Sequence, residues 1–282
     1  MDNGGKIMFN ESLFELNAIR KQYGSGNTLV TVLDKIDFSV REGEFVCIMG
    51  ASGSGKSTLL RIMGGIEKQT AGKIRINNNW YKDGIPPMER RDFGYVFQQD
   101  NLLAWRTTEK NVNLPLEIFG YKGKQWKDRI AEMLDLVGLL NYKECYPHEL
   151  SGGMRQRASI ARALVHDPKA LLLDQPFGAL DAITRKELGY RLLKIWKETG
   201  KTVVMITNSV DEALLLASRI IVLSSAPAKI CHIIENDIPY QDRDESLSDN
   251  FEYKRLHEQL SNIVRGTETT DQPEKEFARK LA

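Results

Sequence analysis

Gly50-Ala51-Ser52-Gly53-Ser54-Gly55-Lys56-Ser57-Thr58 places four residues between Gly50 and Gly55 and follows them at once with Lys56 and Ser57. The apolar run Phe45 to Met49 ahead of it has the character of a buried strand, and Thr58 to Met63 behind it suits a helix. In that setting the glycines let the backbone turn sharply and aim successive N–H groups at phosphate oxygens. The helix start adds partial positive charge, Lys56 reaches the terminal phosphates, and the Ser57 hydroxyl is suited to ligate Mg²⁺. A Gly- and Ser-rich turn alone is also what a bare connection looks like. Strand, lysine and helix together predict a nucleoside triphosphate site running from Gly50 through Ala51, Ser52, Gly53 and Ser54 to Thr58.

The rest of the composition narrows the class. At 282 residues the chain has room for one large domain or two small ones, and 41% hydrophobic residues are enough for a real core. A net charge of +1 argues against a broad nucleic-acid or acidic-membrane surface. Cys47, Cys145 and Cys231 are scattered and odd in number, which reads as reduced thiols in a cytosolic protein. Residues 1–11 are polar, with no hydrophobic signal segment, and no stretch approaches the roughly 18 consecutive apolar residues of a membrane span.

In chain order, Leu13 to Ile19 and Val32 to Val40 alternate as half-buried strands do, with Tyr23 expected on a turn between them. Lys73 to Ile76 and Phe93 to Phe97 read as further strands on either side of the breaker Asp83-Gly84-Ile85-Pro86-Pro87. Trp126, Ile130, Met133, Leu134 and Val137 recur at helical spacing before a stop at Gly138, and Ser151 is a good N-cap for a second helix. Ala170 to Leu173 and Thr202 to Ile206 look like buried parallel strands, and the helix between them puts Leu188, Leu192, Ile195 and Trp196 on one face; Arg219 to Leu223 is a last strong strand. This alternation predicts a mostly parallel α/β sheet with a helical insertion near residues 98–165. From about Asn236 an acidic linker leads to one amphipathic helix carrying Leu256, Leu260 and Ile263, and Gly266 to Ala282 is expected to be disordered.

Two further segments decide among the many proteins that share a phosphate loop. They are Leu150-Ser151-Gly152-Gly153-Met154-Arg155-Gln156-Arg157 and Leu171-Leu172-Leu173-Asp174-Gln175-Pro176. With the phosphate loop and Gln98, they resemble the nucleotide-binding subunit of an ATP-binding-cassette (ABC) transporter over about residues 13–235. The resemblance implies a P-loop NTPase core from 13–97 and 166–235, a helical subdomain at 98–165, a flexible N-terminus at 1–12 and a C-terminal extension at 236–282. It also implies two subunits, identical or not, arranged head to tail around two ATP molecules. Each ATP would lie on one subunit's phosphate loop and under the other's Ser151-Gly152-Gly153 segment, whose helix start makes an anion site; the plain alternative, an ordinary N-cap, is disfavoured by the neighbouring motifs.

By the same resemblance Asp174 supports Mg²⁺, and Gln98 ligates it and senses the γ-phosphate. Asp181 matches the segment that crosses to the other subunit, and Tyr23 falls where an aromatic lies under the adenine, or else is a plain turn tyrosine. Two positions depart from the pattern. Gln175 stands where the family has the Glu that polarises the attacking water, so slow hydrolysis is expected. Asn208 stands where a γ-phosphate histidine is usual; it keeps the hydrogen bond but carries no charge. Either Gln175 replaces a natural Glu and holds ATP unhydrolysed, or the chain is the degenerate half of a heterodimer.

Met154, the stretch Val96 to Arg106 and Pro176 to Asp181 resemble the nitrate/sulfonate/taurine importer branch, although Ala104 replaces the branch's usual Pro. Such importers join two ATPase subunits to two membrane permeases and an extracytoplasmic binding protein, which implies a peripheral position on the cytoplasmic face of the plasma membrane. Leu103, Trp105 and Arg106 lie in the segment that receives a permease helix, while Trp105 is equally readable as a buried structural residue. A cassette protein acting on ribosomes would carry two cassettes, and a DNA-repair ATPase long coiled-coil or zinc insertions. Neither feature is in the sequence, and no nucleic-acid partner is expected.

Overall fold

The computed structural model describes residues 11–178 and 180–269. The elements in chain order are β1 (Ser12–Tyr23), β2 (Val30–Arg41), β3 (Phe45–Gly50), α1 (Lys56–Met63), β4 (Ala71–Ile76), β5 (Asn79–Tyr81), β6 (Phe93–Val96), α2 (Thr108–Phe119) and α3 (Lys124–Leu136). They continue with α4 (Gly152–Leu164), β7 (Ala170–Asp174), α5 (Ala182–Thr199), β8 (Thr202–Ile206), α6 (Val210–Leu216), β9 (Arg219–Leu223), β10 (Ile230–Glu235) and α7 (Phe251–Thr269). The chain divides into two compact units: the described parts of Met1–Ile85 with Ile206–Ala282, and Pro86–Met205.

In the first unit an antiparallel sheet runs β2-β1-β4-β5, and Tyr23 is the last residue of β1 rather than a turn residue. Its alternating pattern buries Phe14, Leu16, Ile19, Ile36, Phe38 and Val40, as half-buried strands do. A second group places β9 between parallel β3 and antiparallel β10. All six residues of β3 and all five of β9 are buried, which is why Phe45 to Met49 and Ile220 to Leu223 read as apolar runs; Arg219, which opens β9, is paired with Glu44 at 2.8 Å.

The C-terminal extension packs on this same unit. Arg243 is buried, and its guanidinium donates to the carbonyls of Leu215, Ala217, Asn236 and Ile238, so the charge is solvated by backbone. Helix α7 buries Tyr253, Leu256 and Leu260. It continues through Gly266 to Thr269, further than the sequence predicts, and the rest of the expected disordered tail lies outside the described residues.

In the second unit β6 pairs parallel with β7, and β7 lies next to β8. Helix α4 passes close to β6: a Cβ at Gly94 would lie 2.2 Å from the Ala163 carbonyl oxygen, so only glycine fits there. Helix α5 buries Leu188, Leu192, Ile195 and Trp196, the face predicted by periodicity. Helix α2 contains Pro115, which removes one backbone donor yet leaves the helix intact.

Candidate functional site

The phosphate loop joins β3 to α1. Gly55, the N-cap of α1, has φ 88°, and a Cβ there would lie 2.7 Å from Val32 Cγ1, so both backbone and space demand glycine. Lys56 folds back over the loop: its ammonium donates to the carbonyls of Gly50 at 2.8 Å and Ala51 at 2.6 Å, and to Ser54 Oγ at 3.3 Å. Only 5% of Lys56 is exposed, so these acceptors hold a buried cation at the mouth of a helix N-terminus. Ser52 and Gly53 are exposed, while Ser57 and Thr58 lie half-buried in the first turn of α1.

Tyr23 belongs beside this loop. Its hydroxyl donates to the Glu67 carboxylate, and burial of the phenol, then that hydrogen bond, raise its pKa above the usual value of 10.0; the Thr58 hydroxyl and the Arg61 charge oppose the rise. Nearby, the Thr207 N–H donates to the carbonyl of Ile48 at 3.3 Å, two residues ahead of Gly50, and the next residue, Asn208, is exposed. The Thr207 hydroxyl contacts Glu212, and Ser209 caps α6 by accepting from Glu212 N at 3.3 Å, so the turn holding Asn208 is fixed on both sides.

The second unit carries the remaining motifs. Ser151 caps α4, its Oγ accepting from Met154 N at 3.2 Å, and both Ser151 and Gly152 are exposed whereas Gly153 is buried. The segment starting at Gln98 is tied to this helix. Arg155 Nε donates to Asp100 Oδ2 at 2.9 Å, and Arg162 reaches the carbonyls of Asp100 at 2.7 Å and Asn101 at 2.8 Å. Between them lies a cleft of about 440 Å³ lined by Gln98, Asp100, Gly152, Arg155, Gln156 and Leu180. Nothing in the sequence pattern announced Asp100 or Arg162 as partners, because they are 62 residues apart.

Asp174 ends β7 and is 4% exposed. Gln175 follows at φ 47°, a left-handed conformation that costs a non-glycine residue about 1 kcal/mol, and its carbonyl accepts from Gly178 N at 3.1 Å. Asp181 is the N-cap of α5: Oδ1 accepts from Ile183 N at 3.1 Å and Thr184 N at 3.0 Å. The Thr184 hydroxyl, then the Thr184 N–H, hold its carboxyl below the ordinary 3.8.

Trp105 is 75% exposed, which removes the buried structural reading. The loop that presents it is held from outside: fully buried Asn111 donates to the carbonyls of Leu103, Arg106 and Thr107 and accepts from Leu103 N at 2.7 Å. Arg106 pairs with Glu117 at 2.7 Å.

The sequence pattern of the ABC transporter family matches residues 33–178. The chain is 41% identical over 225 residues, 80% of its length, to the aliphatic sulfonates import ATP-binding protein SsuB of Bacillus cereus (strain ZK / E33L), covering 86% of that protein. The chain belongs to the ABC transporter family. Among other family members, the nitrate import ATP-binding protein NrtD of Synechocystis sp. (strain ATCC 27184 / PCC 6803 / Kazusa) is 38% identical over 265 residues, 91% of this chain and 97% of that protein. A solved family structure, the ATP-binding cassette MJ0796 as a dimer in a post-hydrolysis state bound to ADP and Pi, is 37% identical with a TM-score of 0.70. It covers 80% of this chain and 99% of that one. Among the described residues no helix is long and apolar enough to cross a membrane.

Taken unit by unit, the Ser57 hydroxyl in the first and the Gln98 amide and Asp174 carboxylate in the second each offer a hard oxygen, the donor type Mg²⁺ prefers. Among the described residues no group of three or more His, Cys, Asp or Glu could hold a metal ion, and Mg²⁺ is commonly held by one or two carboxylates plus phosphate oxygens.

Proposed function

We propose that this chain is the ATP-binding subunit that powers import of a small anion of the sulfonate, nitrate, taurine or bicarbonate kind. It works as a dimer, with itself or a second ATPase subunit, beneath permeases fed by an extracytoplasmic binding protein, on the cytoplasmic face of the plasma membrane. The observation that carries the reading is the phosphate loop, where buried Lys56 is held over the start of α1. The relatives' import functions supply the direction and class of transport.

In this reading Lys56 and the loop N–H groups bind the phosphates, and Tyr23 stacks on the adenine. Ser57, Gln98 and Asp174 hold Mg²⁺, which neutralises phosphate charge. Ser151, Gly152 and Gly153 close on the ATP of the opposite subunit, and Asp181 lies in the segment facing it. Asn208 hydrogen-bonds the γ-phosphate. Gln175, a neutral amide, is a poor proton acceptor, so ATP binds and the dimer closes while hydrolysis is slow. Residues 13–97 and 166–235 form the ATP-binding core, 98–165 the helical subdomain, and Leu103, Trp105 and Arg106 dock the permease.

Two measurements test this. Lys56→Ala should weaken ATP binding by about a hundredfold in a folded protein; a change below about threefold would reject the phosphate site. In vesicles holding this chain together with its permeases and binding protein, ATP should drive uptake of one of these anions. ATP-independent uptake would reject the transport role.

A further inference from the structure

Glu67 and Lys21 belong to none of the motifs above, yet both close on Tyr23. One oxygen of Glu67, Oε1, accepts the Tyr23 phenol and also takes the Lys21 ammonium at 3.0 Å. The carbonyl of Lys68 holds Lys21 a second time, at 2.8 Å, and the ammonium lies over the Tyr23 ring, 4.7 Å from its centroid. The Lys21 and Glu67 side chains are 13% and 20% exposed, and Tyr23, taken as a whole residue, is exposed. The ring is therefore gripped at its hydroxyl end and capped on one face by a cation.

The support extends along the strand. Gln22 N donates to Thr70 Oγ1 at 3.0 Å, and Thr70 N donates to the Arg20 carbonyl at 2.8 Å, fastening the end of β1 to the chain beyond α1. Val30, opposite Tyr23 in the β1–β2 register and 58% exposed, extends the apolar surface on the same side of the sheet. A planar ligand has one ring face to use, and that face is set before the ligand arrives. Pre-organisation of this kind raises affinity by removing the cost of ordering the ring on binding.

We propose that Glu67 is the positioning residue of a purine platform, fixing Tyr23 and Lys21 so that the ring presents its uncapped face to the base of the nucleotide on the phosphate loop. The inference rests on the reading of Tyr23 as the base-stacking residue. The test compares equilibrium affinities of the full chain for ATP and for inorganic tripolyphosphate, which keeps the phosphates and lacks the base. Tyr23→Ala, which deletes the ring, should lower the preference for ATP by about tenfold. Glu67→Ala should lower it by about fivefold, and Tyr23→Phe, which keeps the ring without its anchor, by about threefold. Tripolyphosphate affinity should stay within about twofold in all three. Glu67→Gln, which retains an acceptor for the phenol, should recover most of the preference, a recovery that a merely structural Glu67 would not produce. If Tyr23→Ala lowers the preference while Glu67→Ala and Tyr23→Phe leave it unchanged, Glu67 has no positioning role. If Tyr23→Ala leaves it unchanged as well, the base-stacking reading falls and takes this proposal with it.

Discussion

A Cβ built on Gly153 would lie 2.8 Å from Thr184 Cγ2. Gly153 is thus required where α4 packs on α5, within the segment whose start is expected to face a nucleotide. Gly152 is not constrained in this way, since its nearest contact would be an ordinary 3.5 Å to Leu180 Cδ2. Gly153→Ala should therefore destabilise the protein by about 1–2 kcal/mol through overpacking. Thr184→Ser removes the offending methyl and keeps the hydroxyl, so the double variant should regain most of the loss. Thermal unfolding of the single and double variants measures this, and equal midpoints would contradict the close approach.

Replacing Gln175 by Glu changes one amide to one carboxylate at a site whose backbone, at φ 47°, already accepts a side chain of that shape. Steady-state phosphate release from the assembled transporter should rise by about 10²-fold or more. Asn208→His should add to that rise. Any partner ATPase site must first be silenced, and unchanged turnover would show that another group activates the water.

Asp181 supplies a pH dependence with a defined sign. Its carboxyl is held below 3.8 in the folded protein, chiefly by the Thr184 hydroxyl, so its capping contribution is fully present above the unfolded value. That contribution disappears as pH falls through the folded value. Asp181→Asn keeps a capping oxygen at every pH. The stability difference between the two proteins, followed by denaturant unfolding, should therefore shrink below about pH 3.8. A difference that does not change with pH would remove the cap from acid unfolding.

Trp105 and Asn111 should separate docking from folding. Trp105 is 75% exposed, so Trp105→Ala should shift stability by less than about 0.5 kcal/mol while weakening co-purification with the permease. Asn111 is fully buried and holds the loop through four hydrogen bonds, so Asn111→Ala should cost about 2–3 kcal/mol and lose docking indirectly. Urea titrations beside pull-down yields distinguish the two. Intact assembly with Trp105→Ala would exclude the loop as the docking site.

What the sequence determined by itself is what short stretches of chain encode. The run from Phe45 to Thr58 dictated strand, glycine turn and helix, and apolar spacing identified α3, α5 and α7. Ser151 caps the helix that begins at the next residue, as its neighbours already indicated, whereas the capping role of Asp181 on α5 came only from the structure. Helix α2 was hidden because Pro115 interrupts its pattern, and three-residue β5 is too short for a period to show. The tertiary structure alone decided which distant groups meet. Tyr23 finds Glu67 across 44 residues and Arg162 finds Asp100 across 62. Periodicity reports which face a residue is on, whereas contacts of this kind depend on where the fold returns the chain.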